Sequence, residues 1–234
     1  KDSLQGILCK PENFDPSQKY PMLVYFYEKR SDNLNRYNIP SPIATVINWS
    51  YCVSNGYLVF IPDVVFRKGG PGASSYDAVV SGVKSLIDRY DFIDKDRIAL
   101  NGHSWGGYQI AFLVTRTNMF KAAVSGAPVV NMTSAYGGIR WESGKSRMFQ
   151  YEQTQSRIGG TLWDKPAEFI RNSPLFFLPQ VQTPVLIMHN DKDGSVMWEQ
   201  GIEFFMALRR LDKPVWLFNY KGEGHHLKKW ENRL

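Results

Sequence analysis

The stretch "IALNGHSWGGYQIAFLV", residues 98–114, decides how the rest of the chain is read. An apolar strand runs straight into a glycine-built turn, and the turn runs straight into an apolar helix. One serine, Ser104, sits at its centre. Gly102 stands two places before it, and Gly106 and Gly107 follow. This is G-x-S-x-G with a further glycine. In such a nucleophile elbow a strained strand-to-helix turn lifts the serine hydroxyl out at the top of a sheet. Glycine is needed because a Cβ there would strike the neighbouring strand or helix.

Outward from the elbow, strands and helices alternate. "YPMLVYFYE" (20–28) and "GYLVFIPDV" (56–64) are apolar and rich in Val, Tyr and Phe, and read as strands. Residues 42–54 between them have helical spacing, with Pro near the start. "SYDAVVSGVKSLIDRY" (75–90) reads as a helix, and 97–102 as the buried strand before the elbow. "KAAVSGAP", "TPVLIMHN" (183–190) and "KPVWLFNYK" (213–221) read as strands. The helix between the last two, 198–211, sets Ile202, Phe205, Met206, Leu208 and Leu211 near one stripe. Alternation of this kind predicts an α/β fold: a mostly parallel sheet with helices on both faces. Residues 128–180 interrupt it. They are polar, aromatic and irregular, too long for an ordinary connection. We expect them to form an excursion over the carboxyl ends of the strands, where ligands bind in open α/β sheets.

A length of 234 residues suits one α/β domain, and 43% hydrophobic residues supply a sizeable core. No apolar run reaches the roughly 18 residues of a membrane span. The net charge is +6, but Lys and Arg are scattered among acids. That reads as a solvated basic surface and not as a nucleic-acid patch. Cys9 and Cys52 lie in unrelated segments, open to one disulfide or to two buried thiols. Neither has a CxxC or a histidine partner at metal spacing, so no zinc site is expected at the cysteines. "HNDKDG" lacks the later ligands of a calcium loop. "RKGGPG" (67–72) matches no phosphate-cradling pattern and reads as a surface loop.

A serine hydroxyl is a weak nucleophile. It needs a base, and the base needs an orienting carboxylate. In chain order the acid follows the elbow and the histidine comes last. The acid belongs on the loop "HNDKDGSV", which offers Asp191 and Asp193. The histidine belongs after the last strand, where "GEGHH" offers His225 and His226. His103 lies inside the elbow, and His189 ends a strand. The oxyanion needs two donors. One is the backbone N–H of Trp105, the residue after the serine. The second must come from "VYFYEKR", which has no HGGG-type turn but holds two tyrosines, Tyr25 and Tyr27.

These motifs carry a resemblance. "GHSWGGY" around Ser104, "HNDKDGSV" around Asp193 and "GEGHH" around His225 make the chain resemble the catalytic domain of the prolyl oligopeptidase family of serine peptidases. That family includes the dipeptidyl and acylaminoacyl peptidases, and the resemblance runs over nearly the whole chain. It implies the α/β-hydrolase fold. It also implies a Ser104–Asp193–His225 triad, since His189, Asp193 and Val196 match the family's spacing and His225 follows Glu223 by two. It places the side-chain oxyanion donor at Tyr27, beside Trp105 N–H. A peptide substrate, cleaved through an acyl-enzyme with no metal or organic cofactor, is what the resemblance implies. A carboxylesterase acting on small or sugar-linked esters would use the same groups and is the alternative.

The chain departs from the family in three places. Ser195 stands where the dipeptidyl peptidases carry an asparagine that helps hold the substrate carbonyl, which argues against dipeptide release. The chain contains none of the family's N-terminal β-propeller, and it stops at Leu234, short of the full helix that the family usually carries past the histidine. With Lys1 in place of an initiating methionine, the expectation is one catalytic domain, 1–234, cut from a larger protein with an N-terminal β-propeller. Family habit favours a secreted or periplasmic location. Whether the protein forms a homo-oligomer stays open. Arg140, Trp141, Arg147, Tyr151 and Arg157 in the excursion are read as packing it down more than as substrate contacts.

Overall fold

The computed structural model describes residues 3–37 and 47–233. In chain order the first half contains β1 (Gly6–Cys9), β2 (Tyr20–Tyr25), α1 (Trp49–Ser54), β3 (Leu58–Pro62), α2 (Pro71–Arg89), β4 (Ile93–His103), α3 (Trp105–Val114) and β5 (Ala122–Gly126). Then come α4 (Met132–Tyr136), a small hairpin of β6 (Ile139–Arg140) and β7 (Lys145–Ser146), α5 (Met148–Glu152) and α6 (Pro166–Arg171). The chain closes with β8 (Val185–Met188), α7 (Trp198–Arg210) and β9 (Val215–Phe218).

Among the described residues, seven strands form one sheet in the order β1-β3-β2-β4-β5-β8-β9. Within it only β1 is antiparallel to its neighbour. This is the α/β-hydrolase fold expected from the sequence. The central strand is β4, with Leu100 between Val24 of β2 and Ala123 of β5. Because the flanking strands are parallel, the loops after β4, β8 and β9 all open at one rim. Ser104, Asp193 and His225 lie on those loops.

The main core packs Met22, Val24, Leu58, Ile98, Leu100, Ile110 and Ile187 between sheet and helices, all essentially sealed from solvent. Each such side chain contributes about 1.5–3 kcal/mol relative to exposure. All ten residues of α3 are buried, which explains a sequence apolar all round rather than striped.

Several expectations change in detail. Strand β1 escaped the sequence reading: four residues, GILC, with one buried position, give almost no pattern. Helix α2 begins at Pro71, inside the expected surface loop, because proline suits the first helical turn. The first part of the expected helix 42–54 falls on residues 42–46, outside the described residues; Trp49–Ser54 is helical. The stripe on α7 is corrected in part: Phe205 and Leu208 pack on the core as expected. Ile202, Met206 and Leu211 are exposed, while Gln200, Gly201, Phe204 and Leu208 are buried. Gly201 lies against the His189 ring, where a Cβ would come within 2.5 Å of Nδ1. That close approach, and not hydrophobicity alone, sets which face turns inward. The excursion is more regular than its sequence suggested, since it holds α4, α5, α6 and the hairpin. Cys9 and Cys52 are both free thiols, half-buried against one small cluster around Val59 and Ile61. No helix among the described residues is long and apolar enough to cross a membrane.

Candidate active site

The elbow is built by close approach. A Cβ on Gly102 would lie 2.9 Å from the backbone of Gly106, and one on Gly107 would lie 2.2 Å from the carbonyl oxygen of Gly126 on β5. Between them Ser104 takes φ 59° and ψ −115°, a conformation that non-glycine residues hold only when their surroundings enforce it. The enforcing contacts are the Ser104 N–H to Gly126 oxygen bond at 2.7 Å and the Tyr108 N–H to Ser104 oxygen bond at 3.0 Å. Trp105 opens α3, so its N–H has no intrahelical acceptor. Its indole is buried and stacks on Tyr108 with centroids 4.6 Å apart.

Asp193 is buried on the loop after β8. Its Oδ1 accepts the N–H groups of Ser195 and Val196, both at 2.8 Å. Its Oδ2 lies 2.7 Å from His225 Nδ1 and 3.4 Å from His189 Nε2. Burial alone would raise this carboxyl's pKa, but the bonds from His189 and His225 outweigh it and hold the group far below the usual range. An ionised carboxylate only accepts. His225 therefore carries its proton on Nδ1, which leaves the Nε2 lone pair for other chemistry. Asp191 acts elsewhere. Its Oδ1 accepts the Gly222 N–H at 2.7 Å and ties the two loops together.

The histidine loop is braced from below. Asn190 donates to the Gly224 carbonyl at 2.9 Å and accepts from the Tyr220 N–H at 3.1 Å. The buried Glu223 carboxylate accepts the N–H groups of Lys228 and Lys229 and the amide of Asn232, at 2.9, 3.0 and 2.7 Å. Sequence reasoning used His189 and Glu223 as spacing marks only; here each holds a neighbour in place. Their places inside the quoted motifs, four residues before Asp193 and two before His225, were the available signal.

Tyr27 sits just past β2 and packs against the cluster containing Trp105. The elbow helix reaches it directly: Gln109, buried in α3, donates to the Tyr27 carbonyl at 2.6 Å. The Tyr27 hydroxyl accepts from Gln155 of the excursion at 3.1 Å. Tyr25 is buried, its ring 5.8 Å from that of Trp49, and it borders the same cavity as Tyr27.

Ser104, Tyr27 and His225 line one cavity of about 570 Å³, together with His103, His226 and Arg140. Among the described residues the Ser104 hydroxyl has no hydrogen-bond partner. Such bonds are often long before substrate arrives and tighten in the complex. His103 is buried, and burial, with His225 and His226 adding to it, pushes its pKa down to about 2. In the excursion Arg147 and Tyr151 are buried, Arg147 lying over the Tyr151 ring at 5.5 Å. Arg157 pairs with Glu28 at 3.3 Å, and Trp141 is exposed. Arg140 differs, because it faces the cavity and donates to Ser195 Oγ at 3.3 Å.

A profile of the Prolyl oligopeptidase family matches residues 47–234. The chain is 31% identical over 166 residues to an uncharacterized peptidase of Bacillus subtilis, YuxL, covering 69% of this chain and 23% of that one. It is 26% identical to dipeptidyl-peptidase 5 of Aspergillus oryzae, over 99% of this chain and 32% of the relative. The crystal structure of Porphyromonas gingivalis dipeptidyl peptidase 4 aligns with a TM-score of 0.72 at 23% identity, covering 95% of this chain and 30% of that one. The chain thus spans between about a quarter and a third of the length of these relatives.

Proposed function

The chain belongs to the prolyl oligopeptidase family, and from that premise we propose that it hydrolyses peptide bonds as a serine peptidase. The observation that carries this reading is the 2.7 Å Asp193–His225 pair beside a strained Ser104 on one cavity. Ser104 attacks the scissile carbonyl while His225 Nε2 takes its proton. His225 then delivers that proton to the leaving amine. Asp193 keeps the imidazole in the tautomer with Nδ1–H and stabilises the imidazolium that forms. The Trp105 N–H and the Tyr27 hydroxyl stabilise the oxyanion, each worth about 2.7–4 kcal/mol of the barrier. Water then releases the acyl group by the same sequence in reverse.

The test is labelling of the protein by a fluorophosphonate. Wild type is expected to label and Ser104→Ala is not; labelling that survives Ser104→Ala overturns the nucleophile assignment. Turnover of chromogenic peptides against p-nitrophenyl acetate then separates peptidase from esterase. Hydrolysis of the ester with no cleavage of any peptide would move the reading to the carboxylesterase.

A further inference from the structure

His103 comes from the elbow, and His225 and His226 from the last loop. One nitrogen from each lies within 4.8 Å of the others. The ring centroids stand 4.6, 5.1 and 4.9 Å apart. All three line the cavity that contains Ser104. His103 is 4% exposed, yet neither of its nitrogens has a hydrogen-bond partner among the described residues. A buried polar group left unpaired is costly, and a ligand that engages it relieves that cost.

We propose that these three imidazoles bind a zinc ion, and that the bound ion takes His225 away from Ser104. The binding follows from the cluster alone; its consequence for catalysis rests on the serine-peptidase reading above. Zinc takes imidazole nitrogens at about 2.0–2.1 Å in a tetrahedral set, with water as the fourth ligand here. Tetrahedral nitrogens are then roughly 3.3 Å apart. Closing from 4.8 Å to that spacing requires a rotation of the exposed His226 side chain on binding. An all-imidazole set suits zinc and does not suit calcium or magnesium, which take oxygen.

The surrounding groups also fit. Asp193 already holds His225 through Nδ1 at 2.7 Å, the carboxylate–histidine–metal arrangement that orients a ligand ring. That leaves Nε2 as the ligand atom. The same lone pair receives the serine proton, so ion and proton compete for one orbital. Of the charged groups among the described residues that line the cavity, besides the histidines, Arg30, Arg140 and Lys228 face one acid, Glu142. Those cations weaken the hold on a dication. The geometry therefore favours a reversible inhibitor ion over a permanently resident one.

The experiment titrates chelator-stripped full-length chain with zinc chloride in a calorimeter and follows fluorophosphonate labelling in parallel. One ion per chain is expected, with labelling lost at the same midpoint and restored by EDTA. Magnesium should do neither. His226→Ala should weaken zinc binding by at least about tenfold. His103→Gln should do the same, checked for folding by its melting curve; the exposed His226 variant carries the test if His103→Gln does not fold. No zinc binding at millimolar ion overturns the proposal. So does binding that His226→Ala leaves unchanged, or binding that leaves labelling untouched in a chain that labels. A chain that binds zinc as described but never labels, even in EDTA, keeps the metal site and sinks the peptidase reading instead.

Discussion

His189 Nε2 lies 3.4 Å from Asp193 Oδ2 and 3.1 Å from the Val196 carbonyl oxygen, with the ring sealed from solvent. Both neighbours accept, so this nitrogen carries the proton and is shared between them. The carboxylate facing His225 is thus held from behind by a second imidazole. Hydrogen bonds to charged groups are worth about 1.5–3 kcal/mol. His189→Phe keeps the ring and removes the donor. It should lower kcat by about tenfold to a hundredfold, following that energy. KM should be unchanged. A rise in KM with intact kcat would show that His189 serves only to pack α7.

Asp193→Asn should leave the fold intact and cut kcat by about four orders of magnitude, because the amide favours the wrong imidazole tautomer. Asp191→Asn, which only weakens the tie to Gly222, should cost far less. Equal losses in the two variants would refute the assignment. Ester hydrolysis with matched circular dichroism checks both.

Tyr27→Phe should reduce kcat by about 10²–10³ with KM nearly constant, as for loss of one oxyanion donor. Tyr25→Phe, at the buried ring beside Trp49, should leave kcat near wild type. If Tyr25→Phe proves the more damaging variant, the donor has been misassigned.

Gly107→Ala should destabilise the protein severely. Its Cβ would stand 2.2 Å from backbone oxygen on β5, which no side-chain movement relieves. Overpacking typically costs about 1–3 kcal/mol and occasionally more; here we expect about 3 kcal/mol or above. Urea unfolding measures it. By contrast Gly137→Ala, whose Cβ meets nothing within 4 Å, should change stability little.

Asp63 supplies a pH prediction. Its Oδ1 accepts the N–H groups of Arg30 and Ser31 at 2.6 and 2.8 Å, and its Oδ2 accepts the Ser31 hydroxyl at 2.6 Å. Burial raises its pKa, but these bonds and Lys29 outweigh it, so the folded value lies below 3.8. A depressed carboxylate contributes stability that is present above its unfolded pKa and lost as pH falls through the folded one. Wild type should therefore lose more Tm than Asp63→Asn between about pH 5 and pH 3, from roughly one unit above the usual aspartate value of about 3.9 to one below. Parallel Tm curves for the two proteins would refute the linkage.

The sequence by itself determined the elbow, the alternation of strands and helices, and the order serine, acid, histidine. These are local matters. Gly102, Gly106 and Gly107 are dictated by contacts that any strand-to-helix turn of this kind must make, and apolar periodicity follows from the geometry of one strand or one helix. Strand β1 is the local failure, since four residues are too few to show a period. The sequence could not say which residues from distant segments would touch. The sheet register sets His103 beside His225 and His226, and Gln109 of α3 and Gln155 of the excursion on Tyr27. The inward face of α7 was fixed by room for a glycine against the His189 ring. Such contacts join positions up to more than a hundred residues apart. They depend on how parallel strands align and how loops cross their ends, and neither leaves a periodic mark in the chain.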